Sequence, residues 1–410
     1  MDTLDHHYRL LLGLDDSWQV VSVDLLPEHN RVEIRIRHLG GKVACPECQG
    51  ACSIADHAPE RQWRHLDVMQ FETRILSSTP RSRCETCGVK TIAVPWASKH
   101  GRFTLMFEAF AVKVLTACSS VSKAAQLLRL NWESTHDIME RAVERGLIRR
   151  NLEEVEHVGI DEKSFGKGQD YVSVMTDLDG SRVLEVVPKR TESATKQLWE
   201  SIPEENRKNI QAVAMDMWAP YVSATEEAVP RAEIVHDKFH VAKHLNEAVD
   251  KVRRSEHKTL MQAGDETLKG TRRMWSYNEK NLPEKYADDF AAVKQLQLKT
   301  SRAWAIKESF QVFWSYAYAG HARRYFKDWY SWASRSKLKP IIKAAKMIKR
   351  HLDRIVTYFK HRITNAHAEA FNSRIQWLKS AARGFRSFRN YRTRILFFCG
   401  RLDMLPEGCH

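Results

Sequence analysis

HVGIDEKSFGKGQDYVSVMTDLDGSRVLEVVPK, residues 157–189, contains three short runs rich in β-branched residues: HVGIDEKSF, DYVSVMTDL and SRVLEVVPK. Tight polar links separate them, so they predict three consecutive strands with a turn at Leu178-Asp179-Gly180. Working outward, Thr191 caps a predicted helix over about 192–201, and IQAVAMDMW (210–218) reads as a buried strand. PYVSATEEAV (220–229) reads as a helix, and AEIVHDKFH (232–240) as a strand running into helix VAKHLNEAVDKVRR (241–254). A meander followed by alternating helix and strand predicts a mixed sheet covered by helices. Residues 251 to about 360 lose the strand signal. They read as a charged helical insertion whose tryptophans, Trp275, Trp304, Trp314, Trp329 and Trp332, pack helices together instead of stacking on bases. A helix returns at TNAHAEAFNSRIQW (364–377).

Upstream, WQVVSVDLL (18–26), NRVEIRIRHL (30–39) and MQFETRILSST (69–79) alternate as strands do. Between and after them lie Cys45-Pro-Glu-Cys48 and Cys84-Glu-Thr-Cys87, two C-x-x-C pairs. That spacing predicts a tetrahedral Zn²⁺ site, with glycine after each pair allowing a tight knuckle. Cys52 is near enough to be a substitute ligand, whereas Cys118, Cys399 and Cys409 read as ordinary thiols. Residues 1–100 thus form a small β-rich zinc module in which metal replaces a core. The periodicity then turns helical: FTLMFEAFAVKVLTAC (103–118), VSKAAQLLRL (121–130) and WESTHDIMERAVERGLI (132–148). The break at Arg129-Leu130-Asn131 matches a helix-turn-helix, in which Ser134, Thr135 and His136 would enter a DNA major groove behind Trp132 and Glu133.

The 410 residues predict several domains, and 43% hydrophobic with 28% charged residues describes a globular chain. No run approaches about 18 consecutive apolar residues, and MDTLDHHYRL lacks the layout of a secretion signal, so a cytoplasmic, nucleoid-associated location is expected. Net charge is +14, and residues 335–401 hold 18 Lys/Arg against Asp353 and Glu369, leaving the rest nearly neutral. Such a basic block fits a polyanionic partner. In GFRSFRNYRTRILFF (384–398), Arg386, Arg389, Arg392 and Arg394 interleave with Phe385, Phe388 and Tyr391. With Arg383 before them, these arginines are DNA-contact candidates, against the alternative of a solvated surface over core aromatics.

Asp161 and Asp216 each follow an apolar run, so both carboxylates should emerge at strand ends, where open α/β sheets place ligands. Glu369 shares a helical face with Asn365, Asn372 and Gln376, opposite Phe371, Ile375 and Leu378. Three such oxygen donors suit Mg²⁺ or Mn²⁺. Glu162, Asp177 and Asp179 remain rival carboxylates; His236, His240 and His244 at i, i+4 spacing suggest metal binding, but a helix cap at Asp237 and a packed His240 are the favoured readings of the residues alone.

VGIDEKSFGKGQDYVSVMTDL (158–178), AVAMDMWAPY (212–221), VHDKFHVAKHLN (235–246), NAHAEAFNSRIQ (365–376) and ARGFRSFRNYRTRI (382–395) together resemble the DDE transposases of bacterial insertion sequences, ISL-three type. The resemblance covers nearly the whole chain, in order. It implies a multidomain α/β protein: a ribonuclease-H-like mixed sheet with a helical insertion, preceded by a small β-rich zinc ribbon and a helix-turn-helix. The expected boundaries are 1–100, 101–150, 151–250, 251–362 and 363–410. It also implies Asp161, Asp216 and Glu369 as catalytic, metal-holding triad, with Asp237 and His240 as accessories. The expected activity is cleavage at element ends and joining of the 3′-hydroxyls to target DNA, with double-stranded DNA as partner and a homodimer or larger assembly on it. Two rivals are a zinc-dependent DNA-binding regulator without catalysis and a nuclease of the same fold that does not join.

Overall fold

The computed structural model describes residues 4–118, 120–166, 170–364, 366–382 and 384–408, with the side chains of 366–370 and 372 outside the described set. The chain forms two compact units, Met1–Arg150 with Leu402–His410, and Asn151–Arg401.

The first unit runs α1 (Leu4–Leu11), β1 (Trp18–Leu26), β2 (Arg31–His38), β3 (Lys42–Ala44), β4 (Ala51–His57), β5 (Arg61–Arg64), β6 (Glu72–Ser77), β7 (Pro80–Cys84) and β8 (Gly88–Thr91). Helices α2 (Leu105–Cys118), α3 (Val121–Leu128) and α4 (Trp132–Arg149) follow. One sheet has the order β1-β2-β6-β5 and a second the order β3-β4-β7-β8. The first sheet has a core of its own: Ile34, Ile36 and Ile75 are buried beside Trp18, Trp63 and Trp96. Trp96 meets the other two indoles edge-on, at 4.8 and 5.5 Å between centroids. Metal replacing a core therefore describes the second sheet, whose buried hydrophobic cluster is made of cysteines. Between α3 and α4, Arg129 is left-handed (φ 53°) and the Leu130 N–H donates to Ala125 O at 2.9 Å, ending α3. Asn131 then caps α4, accepting from Ser134 N at 2.7 Å.

The second unit opens with β9 (His157–Ser164), β10 (Tyr171–Asp177) and β11 (Arg182–Pro188), the expected meander. Next come α5 (Glu192–Glu200), α6 (Glu204–Arg207), β12 (Ala212–Met215), α7 (Ala219–Ala228) and β13 (Glu233–His236). The sheet order is β11-β10-β9-β12-β13. β9, β10 and β11 pair antiparallel, while β12 lies parallel to both β9 and β13. This is the ribonuclease-H-like mixed sheet. Its core joins Val158, Ile160, Val213 and Met215 to Leu198 and Trp199 of α5 and Tyr221 of α7.

From β13 the chain enters α8 (Lys238–Gln262), then α9 (Ala287–Gln295), α10 (Lys299–Ser309), α11 (Ala319–Arg335), α12 (Lys339–Arg350), α13 (Leu352–Val356) and α14 (Tyr358–His361). The expected boundary at 250 falls inside α8, one continuous helix whose Val241, Leu245 and Val249 already pack into the helical insertion. Trp275, Trp304 and Trp329 are buried there, and each indole N–H donates within the insertion, to Thr271 Oγ1, Tyr277 O and Ile306 O. Helices α15 (Ala366–Ala381) and α16 (Phe388–Cys399) complete the unit, α15 packing beside β9 and α16 beside β11. Residues 402–410, expected with this last segment, belong to the first unit.

Candidate active site

In the first unit the four Sγ atoms of Cys45, Cys48, Cys84 and Cys87 lie within 4.8 Å of one another. Cys48 and Cys84 are 3.6 Å apart, close to the roughly 3.8 Å edge of a tetrahedron with Zn–S bonds of about 2.3 Å. Backbone N–H groups of Cys87 and Thr86 point at Cys84 and lower its thiol to about 6, whereas burial raises the neighbouring Cys87 thiol. The donor set fits the ion. Cys52 donates to Gly50 O at 3.3 Å and stands outside the quartet, its thiol raised by burial. The left-handed positions of the two knuckles are Gln49 (φ 60°) and Gly88 (φ 74°), so glycine supplies the turn in one knuckle and glutamine in the other.

On α4, Ser134, Thr135 and His136 are buried at 8%, 0% and 6% exposure. They do not form the solvent face expected of base-reading residues. The Thr135 hydroxyl donates to Asn131 O, and the His136 ring stacks under Trp132 at 4.8 Å. Both roles serve the start of the helix. The same helix is tied to α2 through the buried Glu108 carboxylate, which accepts from Arg141 at 2.7 Å and Arg145 at 3.1 Å.

In the second unit, strand register brings the carboxylates together. Met215 pairs with Ile160 of β9 on one side and with His236 of β13 on the other. The next residue on each chain is an aspartate: Asp161, Asp216 and Asp237. Three carboxylates thus stand at one level on adjacent parallel strands, with neighbouring backbones about 4.8 Å apart; Asp216 and Asp237 follow the ends of β12 and β13, whereas Asp161, expected at a strand end, lies within β9, which runs on paired with β10 to Ser164. Asp161 Oδ1 accepts from Glu162 N at 2.8 Å, and Asp216 Oδ1 from Met217 N at 2.6 Å. His240, one turn into α8, places Nε2 3.9 Å from Asp216 Oδ2 and Nδ1 3.5 Å from Asp237 Oδ2. Burial pulls its pKa down, but the link to Asp237 and the fields of Asp216 and Asp161 outweigh this and raise it. Asp237 is 2% exposed, and its Oδ1 has no hydrogen-bond partner among the described residues. Lys163 Nζ lies 2.8 Å from Asp161 Oδ2. Sequence reading passed it over, although i,i+2 spacing on a strand puts both on one face.

The rival carboxylates are engaged elsewhere. Glu162 binds Arg190 at 2.6 Å, a guanidinium that also covers Tyr171 and Trp218. Asp177 closes the β10–β11 turn by accepting from Gly180 N at 2.8 Å and Arg182 Nε at 2.9 Å, and Asp179 meets His157 at 2.9 Å. Both sit toward the opposite end of the meander, since Asp177 pairs with Val158 and Val174 with Asp161. Glu369 lies on α15, its side chain outside the described residues. Ile375 and Leu378 of that helix are buried as expected, and Lys379 Nζ donates to Ser164 O at the end of β9 (2.9 Å). His236 and His244 do not join His240 in any potential metal cluster among the described residues.

The basic tail divides. Arg386 and Arg389 are exposed. Arg392 makes a two-pronged ion pair with Glu185 of β11, at 2.6 Å from both Nε and Nη2, and Arg394 is buried against Phe385 and Phe398. Arg392 thereby ties α16 to β11, while Arg394 packs within its own segment. Arg383 and Cys409 lie outside the described residues.

A β-rich cysteine module, a helix-turn-helix and a ribonuclease-H-like sheet carrying aspartates at one level of adjacent strands define a DNA-processing class of protein. Comparison with known families agrees in order along the chain. A zinc-finger of transposase IS204/IS1001/IS1096/IS1165 matches residues 41–87, a helix-turn-helix domain of transposase family ISL3 matches 92–143, and the family's DDE transposase domain matches 158–395. The chain belongs to the ISL3 family of insertion-sequence transposases. Among curated proteins it is 26% identical over 388 residues to the transposase for insertion sequence element IS1001 of Bordetella parapertussis, covering 92% of this chain and 95% of that one. It is 27% identical over 412 residues to the transposase for insertion sequence element IS1557 of Mycobacterium tuberculosis, covering 93% and 92%. The zinc-ribbon match and the four-cysteine cluster support a structural zinc, and the helix-turn-helix implies DNA as partner. Among the described residues no helix is long and apolar enough to cross a membrane.

Proposed function

We propose that this transposase binds the terminal inverted repeats of its element through the first unit, cuts DNA at the element ends, and joins the freed 3′-hydroxyls to target DNA. Asp161, Asp216 and Glu369 would hold two divalent cations, Mg²⁺ or Mn²⁺, for which hard carboxylate oxygens are the fitting donors. When bound, two such ions activate the attacking oxygen and stabilise the leaving one. The observation that carries this reading is the register that brings Asp161 and Asp216 out side by side from parallel strands. His240 stands within 4 Å of both Asp216 and Asp237, and its charge would act there as a positioning influence on the Asp216 carboxylate. In joining, one phosphodiester bond forms as another breaks, so no ATP and no covalent enzyme intermediate are required. Two ends must be held at once, which calls for a dimer or larger assembly on DNA, acting at the nucleoid in the cytoplasm.

The test uses labelled inverted-repeat ends, a target duplex and Mg²⁺. Asp161→Asn and Asp216→Asn should each lower cutting by roughly 10³-fold or more while end binding stays within about twofold. Equal cutting by wild type and either variant refutes the assignment. Cleavage without strand transfer from pre-cut ends would identify a nuclease.

A further inference from the structure

Asp161 and Asp216 are turned by the same contact. Each Oδ1 accepts from the backbone N–H of the residue that follows, and each Oδ2 faces a basic side chain. For Asp216 that side chain is the His240 imidazole at 3.9 Å, too far for a hydrogen bond. For Asp161 it is the Lys163 ammonium in full contact, Nζ to Oδ2 at 2.8 Å. The pair is largely enclosed, its side chains 21% and 13% exposed, so solvent and salt screen it less than a surface pair. Strand alternation fixes the partners. Residues 161 and 163 share one face of β9, opposite Val174 and Val172 of β10, while Glu162 lies on the other face and is answered by Arg190. Lys163 is thus the strand's own counter-charge for Asp161.

With Oδ1 committed to the backbone, Oδ2 is the oxygen that Asp161 offers a divalent cation, and the ammonium stands on it. Mg²⁺ takes a carboxylate oxygen at about 2.0–2.1 Å. An ammonium held on the same oxygen would then face the ion across a few ångströms, where like charges in a partly enclosed site repel strongly. We infer that Lys163 is the resident cation of the metal-free site: it neutralises Asp161, holds its carboxylate in place, and must release Oδ2 before a divalent cation can be taken there. The inference rests on the proposed metal-holding role of Asp161. Lys163 acts through that carboxylate and is a positioning residue. Its flexible four-carbon stem lets the ammonium swing into water with its proton retained. Because this release opposes metal uptake, the free protein takes divalent ions less readily than its carboxylates alone would.

The experiment titrates Mn²⁺ into the zinc-loaded full-length protein without DNA and reads the free ion by electron paramagnetic resonance, so it does not depend on activity. Lys163→Met keeps most of the stem, removes the charge, and should tighten Mn²⁺ binding about threefold to tenfold. Lys163→Arg keeps the cation and should stay within about twofold of wild type. Lys379→Met removes a neighbouring charge whose Nζ donates to Ser164 O instead of to a carboxylate, and should change affinity by less than about twofold. A purely structural ion pair would lower the melting midpoint of Lys163→Met and leave Mn²⁺ affinity unchanged or weaker, which overturns the inference. Equal tightening by Lys379→Met also overturns it, since the effect would then be a general field. Asp161→Asn separates the two readings. If it binds Mn²⁺ as wild type does, the carboxylate assignment is wrong and the inference falls with it. Loss of a Mn²⁺ site in Asp161→Asn without tightening in Lys163→Met keeps the assignment and removes only the role of Lys163.

Discussion

Arg392→Ala separates a structural arginine from a DNA-binding one. Glu185 and Arg392 are 10% and 32% exposed at their side chains and meet through two 2.6 Å contacts. An exposed pair contributes about 0–1 kcal/mol, and breaking a fully buried one costs about 3–5 kcal/mol because a charge is left without its partner. This pair lies between those limits, since Glu185 would keep its burial and lose its counter-charge. We expect a loss of about 2–3 kcal/mol for the second unit. In a unit of this size that lowers its melting midpoint by roughly 4–12 °C. Urea and thermal unfolding followed by tryptophan fluorescence reads the change. Glu185→Ala should cost a similar amount, and the double variant should cost less than the sum of the two singles. If Arg392→Ala leaves unfolding unchanged but flattens the salt dependence of DNA binding, the arginine faces phosphate and the reasoning is wrong.

Arg386→Ala should behave in the opposite way, leaving unfolding unaltered while the slope of log affinity against log salt falls by about 1 in gel-shift titrations. Cys84→Ser should abolish zinc retention, measured by native mass spectrometry, and weaken end binding, because the β3-β4-β7-β8 sheet has little besides its cysteines to bury. His236 is fully buried, and burial with the neighbouring His351 lowers its pKa to about 3. Its unfolded-state value is about 6.5, so the unfolded chain binds more protons between those values. Stability of the second unit should therefore fall as pH drops from about 6.5 toward 3, by a few kcal/mol at most, and His236→Gln should make that slope shallower in acid-unfolding curves.

Much of the fold was legible because strands and helices announce themselves by period. RVEIRIRH alternates buried and half-buried positions along β2, and VSKAAQLL followed by Arg129 and Asn131 carries both a helix stop and a cap. The zinc quartet was legible because ligand spacing is local. What stayed hidden depended on tertiary neighbours. Ser134, Thr135 and His136 lie where a reading helix would present side chains, but this helix turns that face inward. Arg392 looks like its neighbours Arg386 and Arg389, and only the position of Glu185, 207 residues away, distinguishes it. The core of the first sheet was missed because Trp18, Trp63 and Trp96 are far apart in the chain and meet only on folding. The aspartates were visible singly, whereas their common level is a property of register that no single segment carries.

That common level makes the spacing of the site discrete. Strand residues advance by about 3.3 Å and alternate faces, so Asp216 cannot drift gradually away from Asp161. A one-residue deletion within Ala212–Met215 would carry it a full step along the strand and onto the opposite face of the sheet. The same deletion in the link between β10 and β11 would shift neither Asp161 nor Asp216, because the parallel pairing of β9 with β12 is fixed independently. Length variation among natural relatives should accordingly collect in links and in the insertion. The two short strands β12 and β13 should keep their residue count even where their side chains change.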